Sequence, residues 1–290
     1  MFDNIFAAIE KWMRELLTGM VESNMSTMFT DVNEKTNEIA AQVGRTPQNW
    51  NSSVFSMIQN LSESVVVPIA GIIITLVLCY ELISMLTERN NLHDVDTWMF
   101  FKYFVKAWVA IYLVSNTFTI TMAVFDVGQS VVNSASGIIN GETAIDVSSL
   151  SMQMQAAMAT MEIGELVVLA LETFLVSFCM KIMSVVITVI VYGRMIEIYL
   201  YTSLAPIPFA TMSNREWGHV GTNYFRGLFA LAFQAFLMMV CVAIYAALIS
   251  SVRISSNMHS ALIGVAAYTK ILCFSLMKTG SLSKQIFGSH

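Results

Sequence analysis

A chain of 290 residues with 56% hydrophobic and only 12% charged residues is not an ordinary soluble domain, in which charged residues make up roughly 25%. Its mean hydropathy is +0.65, and a net charge of −5 excludes a basic nucleic-acid-binding domain. Several apolar stretches exceed the ~20 residues that cross a bilayer, which predicts an all-α, polytopic membrane protein with about five transmembrane helices and an amphipathic helical N-terminal region.

Residues 1–20 carry Phe2, Ile5, Phe6, Ile9, Trp12, Leu16 and Met20 at helical spacing, with Asp3, Glu10, Lys11, Arg14 and Glu15 opposite. This pattern predicts a helix on a membrane interface or on a partner. No cleavable leader is expected, because acidic residues stand where a basic region would precede an apolar core. A more polar helix is expected over 22–43, with Met25, Phe29, Val32, Ile39 and Val43 on one side, ended by Gly44-Arg45-Thr46-Pro47. A short amphipathic stretch at 52–62 leads into the first span, Ser64 to Leu86, whose Pro68 lies near its start, where a missing N–H costs little.

A polar loop follows at 87–97, then a second span at about 98–125 that opens on an interfacial aromatic cluster, Trp98, Phe100, Phe101 and Tyr103. Residues 126–163 read as a long loop, with an amphipathic helix carrying Met154, Met158 and Met161. The apolar block 166–212 would reach roughly 70 Å as one helix, against a hydrocarbon core of ~30 Å. Arg194 and Glu197 divide it, and Pro206 and Pro208 disrupt its second half. Further spans follow at about 224–250 and 259–277. The expected organisation is therefore 1–63 extracytoplasmic amphipathic helices, 64–125 spans one and two, 126–163 an extracytoplasmic loop, and 164–290 a transmembrane core with a cytoplasmic tail.

Orientation follows from charge. Between Lys106 and Lys181 there is no lysine or arginine, while six acidic residues are present. Basic residues concentrate on the cytoplasmic side, so this interval marks the outside. One crossing within 166–212 places Arg215, Arg226, Lys278 and Lys284 in the cytoplasm. Two crossings would send all four outward. The five-span arrangement fits better, with 195–212 re-entrant or interfacial and buried in protein. It puts the N-terminus outside and the C-terminus inside. The N-terminal region then exports Lys11, Arg14, Lys35 and Arg45, but with an excess of acidic residues.

Charges at bilayer depth cost about 2.5–3.5 kcal/mol on the insertion scale. Lys102 and Lys106 share one face of span two, Glu172 and Lys181 lie in span three, and Lys270 lies in the last span. Arg194 and Glu197 have the i,i+3 spacing of a pair. These residues line a polar path, repeated as rings in an oligomer, or pair between helices, with Glu81 as a further partner. Lys106, Lys181 and Lys270 are the strongest candidates for the path. Cys79, Cys179, Cys241 and Cys273 all fall in apolar runs and read as small hydrophobes. His93-Asp94-Val95-Asp96 is one hydrophilic loop rather than a metal ligand set. Catalytic and phosphate-binding motifs are absent, so no enzyme activity and no cofactor are expected.

Arg194-Met195-Ile196-Glu197-Ile198, followed by Ala205-Pro206-Ile207-Pro208-Phe209-Ala210, resembles the core segment of the TrbL family, the polytopic inner-membrane subunits of type IV secretion and conjugation machines. Asn214-Arg215-Glu216-Trp217-Gly218, Asn223-Tyr224-Phe225-Arg226 and Met277-Lys278-Thr279-Gly280-Ser281 are similar to the version on conjugative elements of Gram-positive bacteria. Within these segments, Pro206, Pro208, Arg215 and Trp217 are the family-like residues. The resemblance implies a multi-pass cell-membrane protein forming a homo-oligomeric ring in lipid. Its partners would be a secretion ATPase, a bitopic scaffold and a small membrane subunit, and its cargo single-stranded DNA with an attached relaxase. A solute transporter or permease is the alternative, although the inverted repeats common in transporters are not seen between 64–125 and 224–277. An intramembrane enzyme would need converging catalytic side chains that the sequence lacks.

Overall fold

The computed structural model describes residues 2–87, 97–139, 147–214, 216–251 and 258–289. Arg215, Arg253, the His93–Asp96 segment and residues 140–146 of the expected long loop lie outside that set. Among the described residues every regular element is helical and no strand occurs. Five helices are long and apolar enough to cross a membrane: Ser52–Thr87, Trp98–Ser115, Ile163–Ser203, Gly218–Ser250 and Met258–Ile286. The chain is a polytopic α-helical membrane protein.

The helices are α1 (Phe2–Val43), α2 (Pro47–Trp50), α3 (Ser52–Leu61), α4 (Val67–Thr87), α5 (Thr97–Ser115), α6 (Thr117–Ile139), α7 (Val147–Ala159), α8 (Ile163–Ser203), α9 (Pro206–Thr211), α10 (Gly218–Ser250) and α11 (Met258–Ile286), with a π-helical turn at Ser62–Val66. They form two compact units. One comprises Met1–Val43, Ser134–Val191 and Met238–Lys278, the other Gly44–Asn133, Tyr192–Leu237 and Thr279–His290.

In the first unit, α1 is one helix where two were expected. Its stripe Val21, Met25, Met28, Phe29, Val32, Ile39 and Val43 is buried. Two hydrogen bonds tie it along α8, Asn24 Nδ2 donating to Thr173 Oγ1 at 3.4 Å and Lys35 Nζ to Thr188 Oγ1 at 2.9 Å, and Arg14 Nη1 donates to Met161 O, just before α8, at 2.7 Å. Residue numbers rise together along both helices, so the two run parallel. The α7 helix packs on α1 and buries Met154 and Met158. Tyr245 of α10 and Thr269 of α11 share a 2.8 Å hydrogen bond.

In the second unit, Thr46 Oγ1 accepts from Asn49 N and Asn51 Oδ1 from Val54 N, which satisfies free N–H groups at the starts of α2 and α3. The π turn precedes Pro68. A proline has no N–H, and its ring crowds the carbonyl four residues earlier; the wider turn, in which Val67 N donates to Ser62 O, carries the helix past that defect. One core joins Ala70, Ile74 and Leu78 of α4 to Ala110 and Val114 of α5 and to Phe209 and Ala210 of α9. Another joins Val124 and Phe125 of α6, Met195 and Ile198 of α8, and Leu228, Leu231 and Ala232 of α10. At Gly128 a Cβ would stand 2.9 Å from Ala232 O, so glycine permits this close crossing of α6 and α10.

Two expected boundaries change. The segment expected as a loop from 126 is helical to Ile139, because it contains no proline and Gly128 packs rather than bends. The block 166–212 does not divide at Arg194 and Glu197, since α8 runs unbroken to Ser203. At about 60 Å by helix rise, it is twice the hydrocarbon thickness. The break comes at Pro206, which opens α9 at its first turn, where a missing N–H is tolerated. The re-entrant expectation for 195–212 thus meets a helix end and one short helix.

Candidate functional site

A polar network lies in the second unit, where the α9–α10 turn meets α4 and α5. Lys106 Nζ donates to Glu81 Oε1 at 2.5 Å, and Asn214 Nδ2 donates to Glu81 Oε2 at 3.3 Å. Asn214 Oδ1 accepts from the backbone N–H groups of Glu216 and Trp217 at 2.7 and 3.1 Å. This is an Asx turn, in which the side chain substitutes for a backbone acceptor. Tyr80 Oη donates to the Glu216 carboxylate at 3.0 Å, and its ring stacks on Trp217 at 5.7 Å. Family-like Trp217 therefore anchors a turn. Pro206 and Pro208 shape α9, which packs on α4 and α5. Lys106 is an ion-paired lysine, and Lys102 lies 5.7 Å over the ring of Trp98.

Arg194 does not pair with Glu197. It is buried at 7% exposure, Nη2 donates to Leu231 O at 3.4 Å, and Nε has no hydrogen-bond partner among the described residues. Glu197 accepts instead from Lys284 Nζ of α11 at 3.1 Å. Nearby, Ser283 Oγ donates to Ala230 O at 2.5 Å, and Gln234 Nε2 donates to Thr279 Oγ1 at 3.4 Å. These bonds fasten the end of α11 to α10.

In the first unit, Glu172 pairs with His259 Nδ1 at the start of α11. Lys35 pairs with Glu38. Lys181 and Lys270 are exposed, and neither has an ion pair among the described residues. Their immediate neighbours Met180 and Thr269 line one small cavity, with Asp31, Lys35, Ser184 and Leu272. Lys181 and Lys270 thus stand at one level of the helix bundle. The candidate residues separate into pairs that hold helices (Lys106, Glu172, Glu197), a buried cation on a carbonyl (Arg194), a lysine over an aromatic ring (Lys102), and two exposed lysines.

Sequence reasoning missed Asn214, Tyr80, His259 and Lys284 as partners. Only Asn214 carried a local signal, since an asparagine two to four residues ahead of a helix commonly organises its turn. The other three meet acids 87 or more residues away, which no spacing rule reveals. No cluster of metal-ligating side chains occurs among the described residues.

No curated protein and no solved structure matches the chain. A family profile described as TrbL/VirB6 plasmid conjugal transfer like protein matches residues 32–206, from the last turns of α1 through α8 to Pro206, and stops short of Pro208, Arg215 and Trp217. That range is more than half of the chain and contains Arg194 and Glu197 within their long helix; with five helices able to cross a membrane, the protein belongs to the TrbL/VirB6 plasmid conjugal transfer-like family.

Proposed function

We propose that this chain is a cytoplasmic-membrane subunit of a conjugative type IV secretion machine that passes single-stranded DNA with an attached relaxase. The observation that carries the reading is the family match over 32–206, which takes in the last turns of α1 and all of α8. The subunit assembles as a ring of identical copies, with a secretion ATPase, a bitopic scaffold and a small membrane subunit as neighbours. It performs no chemistry of its own, and partner ATPases supply the energy. The absence of basic residues between Lys106 and Lys181 supports an N-terminus outside and a C-terminus in the cytoplasm. The segments around Trp217, Arg226 and Lys278 resemble the version from Gram-positive conjugative elements, which supports that origin.

The test is an in-frame deletion in the host element, followed by mating. Transfer should fall to background, return with the wild-type gene, and leave relaxase nicking of the donor DNA intact. Undiminished transfer from the deletion strain would remove this reading.

A further inference from the structure

Lys181 and Lys270 lie on helices that are candidate membrane spans. Exposed Phe178, Ile182 and Val185 flank Lys181, and exposed Ile271 and Phe274 follow Lys270. Hydrocarbon gives an ammonium group no partner, and the described residues supply neither lysine with a carboxylate. A polar face lies in the same unit. The outer side of α1 exposes Ser23, Ser26, Thr30, Glu34 and Asn37, although α1 runs along α8, the longest of the apolar helices. Glu34 is exposed and has no ion pair among the described residues.

The two faces stand at the same level. Asp31, about one turn of α1 before Glu34, and Lys35, the residue after it, line the cavity that Met180, Ser184, Thr269 and Leu272 also line. A cyclic assembly about an axis along these helices keeps every residue of each copy at its own level. It therefore brings Glu34 of one copy level with Lys181 and Lys270 of the next. Such a contact is heterologous, joining two different faces, and repeats until the ring closes. We infer that a second copy of this chain docks the outer face of α1, through Glu34, on the face of its neighbour that carries Lys181 and Lys270. This rests on the ring proposed above and assigns its intersubunit contact. The contact gives the two lysines a carboxylate and covers the polar face of α1, so that neither the ammonium groups nor that face meets lipid.

The test uses the full-length chain in donor membranes, with Thr30→Cys added on the α1 face. Native Cys179 is exposed beside Lys181, so mild oxidation should link copies into a ladder of multimers, whereas a bond within one copy leaves the mass unchanged. Glu34→Lys, or Lys181→Glu with Lys270→Glu, should each reduce the ladder about tenfold, the change expected from roughly 1.4 kcal/mol. The combined triple variant restores opposite charges and should recover the ladder. Recovery also shows that the parent variants were not merely misfolded. No ladder in the Thr30→Cys protein, or a ladder indifferent to all charge changes, overturns the inference. If Lys181→Glu with Lys270→Glu leaves the ladder whole and transfer alone falls, the lysines face the polyanionic cargo. That result overturns the contact but leaves the proposed function standing, which the deletion strain tests separately.

Discussion

Replacing Gly221 with alanine tests the fit of the α9–α10 hairpin. A Cβ at Gly221 would stand 2.5 Å from Pro208 O and would collide with the Met212 side chain. Methionine can swing away, but the carbonyl is backbone. Ordinary contact begins near 3.4 Å, so α9 must retreat by about 0.9 Å, in a core packed too densely to absorb the shift. The retreat pulls Phe209 and Ala210 from Ala70, Ile74 and Ala110. Overpacking of this kind costs about 1–3 kcal/mol, more than the ~1 kcal/mol that alanine gains over glycine in a helix. In purified protein in mild detergent, Gly221→Ala should therefore lower Tm by several degrees, at about 2–4 °C per kcal/mol for a domain of this size class. Gly71 in α4 is the control, since a Cβ there meets nothing within 4 Å; Gly71→Ala should hold or raise Tm. A Gly221→Ala protein as stable as the wild type would refute the close approach.

Three further outcomes follow from the charged network and the topology. Lys106→Gln strands the Glu81 carboxylate on Asn214 alone and should cost about 2 kcal/mol, the scale of a hydrogen bond to a charged group; adding Glu81→Gln should recover most of it in a double-mutant cycle, and strict additivity would argue against the pair. Asn214→Ala removes the acceptor for two backbone N–H groups and should cost about 1 kcal/mol, as loss of a cap does, with faster proteolysis at the α9–α10 turn as the readout. In a protein without native cysteines, an impermeant thiol reagent should label exposed Gln153→Cys in intact cells and exposed Gln285→Cys only after permeabilisation. Labelling of Gln285→Cys from outside would reverse the orientation.

Composition and apolar run length determined that this is an all-helical, multi-pass membrane protein, because burying apolar runs of that length in lipid forces backbone hydrogen bonding within each segment; the count of about five came from the placement of basic residues. Periodicity likewise determined the buried stripe of α1, from Met25 through Val43, since helical spacing fixes which side chains share a face. Partnerships were beyond it. Arg194 and Glu197 have the spacing of a pair, yet Glu197 turns to Lys284 and Arg194 to Leu231 O, because neighbouring helices offer groups that no local pattern encodes. Lys106, Lys181 and Lys270 look alike in sequence. Only tertiary structure sets Lys106 against Glu81 and leaves the other two on outer faces, since the partner of a charge in a bundle depends on which helices lie beside it and at what level.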